Sequence, residues 1–304
     1  MDSASTGASD GVSPLAHVLL AAVSVWWAGS YLLIKIAVLN VPPATLAASR
    51  LLIASAVLLA WLRTGNAGSL PSDATSWARY AQIALFGHAV PLYLIAWASM
   101  IVPVGEMAIL VATTPLFAVL FAHLSRHELP SRETILGLSV GLIGLVALLS
   151  RAEMSPLRFS SAAPLIALLG AAASYALSAR AVARLQDTNA LLTGTAVMTC
   201  AIPMLLVPSL LFERPWAITP SAWAVAAILL LGVMSTAVVY VAYYRLIKMS
   251  GPAFASMHHY LVPALSAVLS SVALNEKLDL VELMLMTPIL ASIFIARRLA
   301  SQKL

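Results

Sequence analysis

Residues Gly105–Glu128, GEMAILVATTPLFAVLFAHLSRHE, decide the fold. They form an apolar run with one acid near the start, a proline in the middle and a charged end, and their length is that of a helix crossing a bilayer. The plan recurs at Gly251–Glu276, GPAFASMHHYLVPALSAVLSSVALNE. Pro115 precedes Glu128, and Pro263 precedes Glu276, by the same 13 residues, so the chain reads as two copies of one unit offset by 148.

Composition places those copies in lipid. Of 304 residues, 61% are hydrophobic and 10% charged, and the mean hydropathy is +0.95, whereas a soluble domain carries about a quarter charged residues. The net charge of +5 comes from basic residues scattered singly between apolar runs, which excludes a continuous phosphate-binding stripe and hence nucleic acid as partner. Cys200 is the one cysteine, so no intrachain disulfide can form.

The sequence predicts an all-α polytopic membrane protein of ten transmembrane helices. Residues 1–14 form a polar, disordered cytoplasmic tail. The spans fall at about 15–38, 44–62, 77–99, 104–124, 133–150, 162–184, 190–212, 221–245, 251–274 and 279–298, with 299–304 as a second cytoplasmic tail. The first apolar run is too long for a signal peptide and is expected to be retained. With the N-terminus inside, 11 Lys and Arg fall on the inner side and 4 on the outer, which places both termini in the cytoplasm. Thirteen Arg against four Lys, with abundant Ala and Leu, point to a bacterial source and so to the inner membrane.

Five spans per unit is an odd number, so the second copy (162–298) enters the membrane upside down relative to the first (15–150). Such inverted repeats give two related packings, one open to each side, and are the architecture of transporters.

On these features the chain resembles the drug/metabolite transporter superfamily, in particular the EamA-type bacterial exporters. The first unit carries the resemblance in WWAGSYLLIK (26–35), Arg50 and the run from Pro115 to Glu128. The second follows its Glu with LMLMTPIL where the first has Gly137, Gly141 and Gly144. The resemblance implies export of small metabolites. Exporters of aromatic and other neutral amino acids match best, through a Trp in the first helix and a His in the third, here Trp26 and His88.

Ionisable groups inside apolar spans are costly and are functional candidates by default. Lys35, Arg50 and Glu106 fall at one depth near the outer side, as an ion-pair cluster or outer gate. Their counterparts at the offset of 148 are Ala183, Met198 and Phe254, so the second unit lacks the charges. A cation left over by the single acid is placed to receive a substrate carboxylate, and Glu106 to hold an amino group or a proton.

At mid-membrane depth lie Trp26, Trp27, His88, Tyr175, His258 and His259. Trp27, Tyr31 and Lys35 share one face of the first helix, and Tyr240 and Tyr244 a face of the eighth, with Tyr243 adjacent. Rings this deep are expected either to pack helices or to line a midplane pocket for a small, largely apolar substrate. The substrate-binding candidates are Trp26, Trp27, Tyr31, His88, Tyr175, Tyr244, His258 and His259. A histidine among them is a candidate proton carrier or a helix contact. Pro115 and Pro263 occupy matching places and are candidate pivots.

His123 and His127 have metal-ligand spacing beside Glu128 but no second cluster, so neither a metal nor a cofactor is expected. Gly137-x3-Gly141 offers a close-packing face, consistent with a monomer or weak homodimer. There is no G-x4-G-K-[ST] or TVGYG, which argues against an ATP-driven pump and a K+ channel; an intramembrane enzyme is the runner-up of another class, although G-x-S-x-G and H-E-x-x-H are also missing. An exchanger of phosphorylated metabolites or nucleotide sugars would want several cavity Lys or Arg. The partners expected are the lipid bilayer and an amino acid-like small molecule.

Overall fold

A computed structural model of the chain describes residues 13–64, 68–126, 162–185, 189–255 and 257–274, with a few single positions beyond them. The spans expected at 133–150 and 279–298, most of the N-terminal tail, the tail at 299–304, and Gly137, Gly141, His127 and Glu128 lie outside the described residues.

The described residues are helical throughout their regular structure, with no strand among them. α1 is Pro14–Val38 and α2 is Pro43–Thr64. α3 is Ala74–Ser99, α4 is Val104–Val111 and α5 is Thr114–Arg126. α6 is Ala163–Ala183 and α7 is Ala190–Glu213. α8 joins Ala222–Leu230, Leu231–Val238 and Val239–Ala255, and α9 is His258–Ala273. Six helices, α1, α2, α3, α6, α7 and α8, are long and apolar enough to cross a membrane. Large apolar side chains face outward, among them Phe212 (80% exposed) and Val272 (79%), as lipid-facing positions do.

Two of the spans read from sequence as continuous are divided. The run at 104–124 breaks between Val111 and Thr114, because Pro115 lacks an N–H and its ring crowds the carbonyl of Val111. The hydroxyls of Thr113 and Thr114 donate to the carbonyls of Leu110 (2.6 Å) and Val111 (2.7 Å), so the broken ladder is satisfied without water. The second interruption is the turn at Met257, whose N–H donates to the Phe254 carbonyl at 2.9 Å, ahead of Pro263 inside α9. Matching prolines therefore do not make matching breaks.

The other irregularities are widened, π-helical turns. In α3 the turn Leu85–Ala89 precedes Pro91, whose ring would otherwise meet the Gly87 carbonyl; the Tyr240 hydroxyl donates to that carbonyl at 3.5 Å. In α8 the stretch Leu231–Val238 releases the Leu231 carbonyl, which accepts from the Thr236 hydroxyl at 2.7 Å. Shifted by 148 residues, Leu85–Ala89 becomes 233–237 and falls inside the α8 stretch. α7 closes on a third such turn, Ser209–Glu213, just after Pro208.

The helices pack around two apolar clusters, each drawing on residues before 127 and after 161. One, at the end where α1 finishes, contains Ile34, Met107, Leu168, Leu231 and Val262. The other, where α1 begins, contains Leu20, Leu58, Ile83, Met198 and Leu246. Trp27 packs against both. At the end where α1 finishes, polar ties join the elements. Lys35 Nζ donates to the carbonyls of Ser99 (2.8 Å) and Val102 (3.0 Å), covering the C-terminus of α3. Glu213 accepts from the N–H groups of Ala44 (2.9 Å) and Thr45 (2.6 Å) and from the Thr45 hydroxyl (2.8 Å), so the end of α7 caps the start of α2. The Ser221 hydroxyl donates to Asn40 Oδ1 at 2.7 Å.

At Gly232 the α8 backbone comes against α2: a Cβ there would lie 2.6 Å from Ile53 Cβ. Gly232→Ala is expected to cost about 1–3 kcal/mol through overpacking, read as a lowered thermal midpoint in detergent. Ile53→Ala in the same chain is expected to recover part of the loss.

Candidate functional site

A cavity of about 380 Å³ lies between the two apolar clusters, within the range of small-molecule sites. α1, α2 and α3 supply Trp27, Ser30, Tyr31, Arg50 and Leu92 to its wall. α5 and α6 supply Thr114, Pro115, Tyr175, Ser178 and Arg180, and α8 and α9 supply Tyr240, Tyr243, Tyr244, His258, His259 and Pro263. The lining runs from Ile34 and Ile95, below the polar ties, to Arg180 and Ala183 in the last turn of α6 and His258 in the first turn of α9.

Trp27 organises the wall. Its ring meets those of Tyr240 (5.3 Å between centroids), Tyr243 (5.0 Å) and His258 (4.6 Å), each edge to face. Tyr243 and His258 also meet at 5.4 Å, and His258 lies against His259 at 3.9 Å. The α1 spacing that puts Trp27 and Tyr31 one turn apart sends both into the cavity. The residue 148 positions after Trp27 is Tyr175, which lines the same cavity.

Arg50 is buried, at 4% exposure, and lines the cavity. Its Nε donates to the Thr236 hydroxyl at 2.9 Å, and that hydroxyl is held in turn by the Leu231 carbonyl in the widened turn of α8. Its other electrostatic neighbours are the hydroxyls of Tyr31, Tyr175 and Tyr240. Arg180 lines the cavity nearer the end where α1 begins and donates to the Phe121 carbonyl of α5.

Of the candidates drawn from sequence, Trp27, Tyr31, Tyr175, Tyr244, His258 and His259 come together in the lining, as do Arg50, Pro115 and Pro263. Trp26 and His88 do not line it. His88 is fully buried in the widened turn of α3, behind the tyrosines: its Nε2 lies 3.3 Å from the Tyr244 hydroxyl and its ring 4.4 Å from that of Tyr240. Lys35 and Glu106 are outside the lining too, Lys35 on the end of α3 and Glu106 in the first turn of α4. Tyr240, Tyr243 and Arg180 were not candidates from sequence, although the four-residue spacing of Tyr240 and Tyr244 placed both on one helix face. Among the described residues no group of three or more His, Cys, Asp or Glu is placed to hold a metal.

The model of the EamA-like transporter family matches the chain twice, at residues 14–150 and 162–298. An uncharacterized transporter of Archaeoglobus fulgidus is 26% identical over 269 residues, 86% of this chain and 90% of that one. The uncharacterized inner membrane transporter YedA of Escherichia coli K12 is 27% identical over 264 residues, 86% of this chain and 84% of that one. A solved crystal structure superposes with a TM-score of 0.67 at 20% identity, covering 94% of this chain and 98% of the other, a likeness of fold alone.

Trp27→Ala deletes three edge-to-face contacts, which at ~0.5–1.5 kcal/mol each amount to about 2–4 kcal/mol. Thermal unfolding in detergent is expected to show that loss, with Trp27→Phe keeping most of the stability.

Proposed function

The chain belongs to the EamA-like transporter family within the drug/metabolite transporter superfamily, and from that premise we propose that it exports small metabolites, best matched by neutral and aromatic amino acids, by alternating access. It is a multi-pass membrane protein, and its family and relatives are transporters rather than enzymes. The observation that carries the substrate reading is the ring-lined cavity around Trp27, apolar enough for an aromatic side chain and polar at Arg50 and Ser30.

The proposed machine is ten helices in two five-helix modules, 15–150 and 162–298, inserted in opposite senses. Its support is the twofold family match and the widened turns of α3 and α8 at equivalent positions. Helix pairings also survive exchange of the halves: α1 packs on α9 as α6 packs on α5, and α3 on α6 as α8 on α1. Two packings of this kind, related by symmetry, would expose the cavity to each side in turn. Both termini are assigned to the cytoplasm of a bacterial inner membrane, which puts the Arg180 end of the cavity on the loading side for export. Breaks beside Pro115 and ahead of Pro263 are the pivots in this scheme. The chain works as a monomer or weak homodimer. Exchange of phosphorylated metabolites or nucleotide sugars is less well served, since among the described residues Arg50 and Arg180 are the only Lys or Arg in the lining.

Purified protein in liposomes loaded with labelled amino acids is expected to release phenylalanine, tyrosine or another neutral amino acid faster than empty liposomes do. Release of a sugar nucleotide, and of no amino acid, would overturn the substrate reading. Glu106→Gln is expected to alter the rate or its pH dependence while leaving the unfolding free energy within about 1 kcal/mol of the parent.

A further inference from the structure

The cavity holds a buried cation, Arg50, that no carboxylate among the described residues faces. Arg50 uses Nε on Thr236, and among the described residues its terminal nitrogens have no hydrogen-bond partner and no carboxylate faces it. Among the described residues no Asp or Glu lines the cavity. Of the described acids, Glu213 is taken up by Ala44 and Thr45, and Glu106 sits in the first turn of α4, outside the lining. The second cation of the lining, Arg180, adds positive charge at the end where α1 begins.

Burying a guanidinium without an anion is costly, and the cost falls when an anion docks on it. The two terminal nitrogens form the planar fork that a carboxylate fits, and Tyr31 lines the same cavity. An ammonium entering the cavity meets the reverse situation. It sheds its water near two guanidinium groups, with only ring faces and hydroxyls to compensate.

We propose that the site is built for an organic monoanion: an aromatic carboxylate whose carboxyl group docks on Arg50 and whose ring packs against Trp27 and Tyr243, with no α-amino group required. The inference rests on the transport reading for its biological sense but not for its binding chemistry. A single fork sets the charge at one. A phosphate dianion would draw on cations that the lining does not offer beside Arg50.

Three labelled probes share a ring and differ in charge: phenylpyruvate (anion), L-phenylalanine (zwitterion) and phenethylamine (cation). Binding is read in detergent as thermal stabilisation of the purified full chain, and transport as efflux from proteoliposomes against empty liposomes. Phenylpyruvate is expected to bind about ten- to a hundredfold more tightly than L-phenylalanine, the range set by burying an ammonium whose donors are left imperfectly paired, and phenethylamine not to bind. Arg50→Gln is expected to weaken phenylpyruvate binding at least about tenfold and Arg50→Lys to keep part of it; the ranking on the parent protein stands as a test even if Arg50→Gln fails to fold. Equal binding of L-phenylalanine and phenylpyruvate, binding of phenethylamine, or unchanged phenylpyruvate affinity in a folded Arg50→Gln protein overturns the proposal. Phenylpyruvate bound through Arg50 without efflux of any probe sinks the transport reading and keeps the anion site. Efflux of L-phenylalanine without binding or efflux of phenylpyruvate does the opposite.

Discussion

Hydrocarbon offers no hydrogen-bond partner, so every backbone group that a proline or a widened turn releases inside this protein has to be met by the protein itself. The Thr113 and Thr114 hydroxyls take the carbonyls at the α4–α5 break, Thr236 takes that of Leu231, and Tyr240 reaches that of Gly87. Lys35 and Glu213 do the same for helix ends. The satisfaction of the backbone thus consumes much of the polar inventory, and what is left over is informative.

Several of these devices also build the site. The hydroxyl that satisfies Leu231 is the acceptor for Arg50, and the tyrosine that reaches Gly87 is the one against which Trp27 and His88 stack. Widening a helical turn rotates the residues after it, so the turns in α3 and α8 aim side chains as well as accommodate Pro91. Trp27 then bridges two apolar clusters with one face turned to the cavity. Its position couples the packing of α1 to that of α8 and α9, where the cavity wall would have to change shape during transport.

Much of the cavity lining was legible in the chain, for a definable reason. In an apolar span a ring or a charge is rare enough to be noticed, and counting along the helix gives its depth. Trp27, Tyr31, Arg50, Tyr175, Tyr244, His258 and His259 were found this way and share one cavity. Depth grouped Lys35, Arg50 and Glu106 as one cluster, and depth does not say which way each side chain turns. Arg50 faces the cavity, whereas Lys35 turns to the end of α3 and Glu106 stays outside the lining. His88 was placed at the right depth but one layer too far forward. The break before Pro115 was foreseeable as a kink, but the turn at Met257 carries no proline at its place.

By itself the sequence determined a helical, multi-pass membrane protein, because hydropathy, charge placement and the Pro–Glu spacing are properties of the chain and need no partner to be read; the family entered as a resemblance and was shown by the family-model match. Only the tertiary structure decided which of the rare polar groups are spent on the backbone and which are left facing a cavity. That choice depends on the rotation of each helix about its axis and on the neighbour it meets, and both are set by packing across residues more than a hundred positions apart, as Arg50 with Thr236 and Trp27 with Tyr240 illustrate.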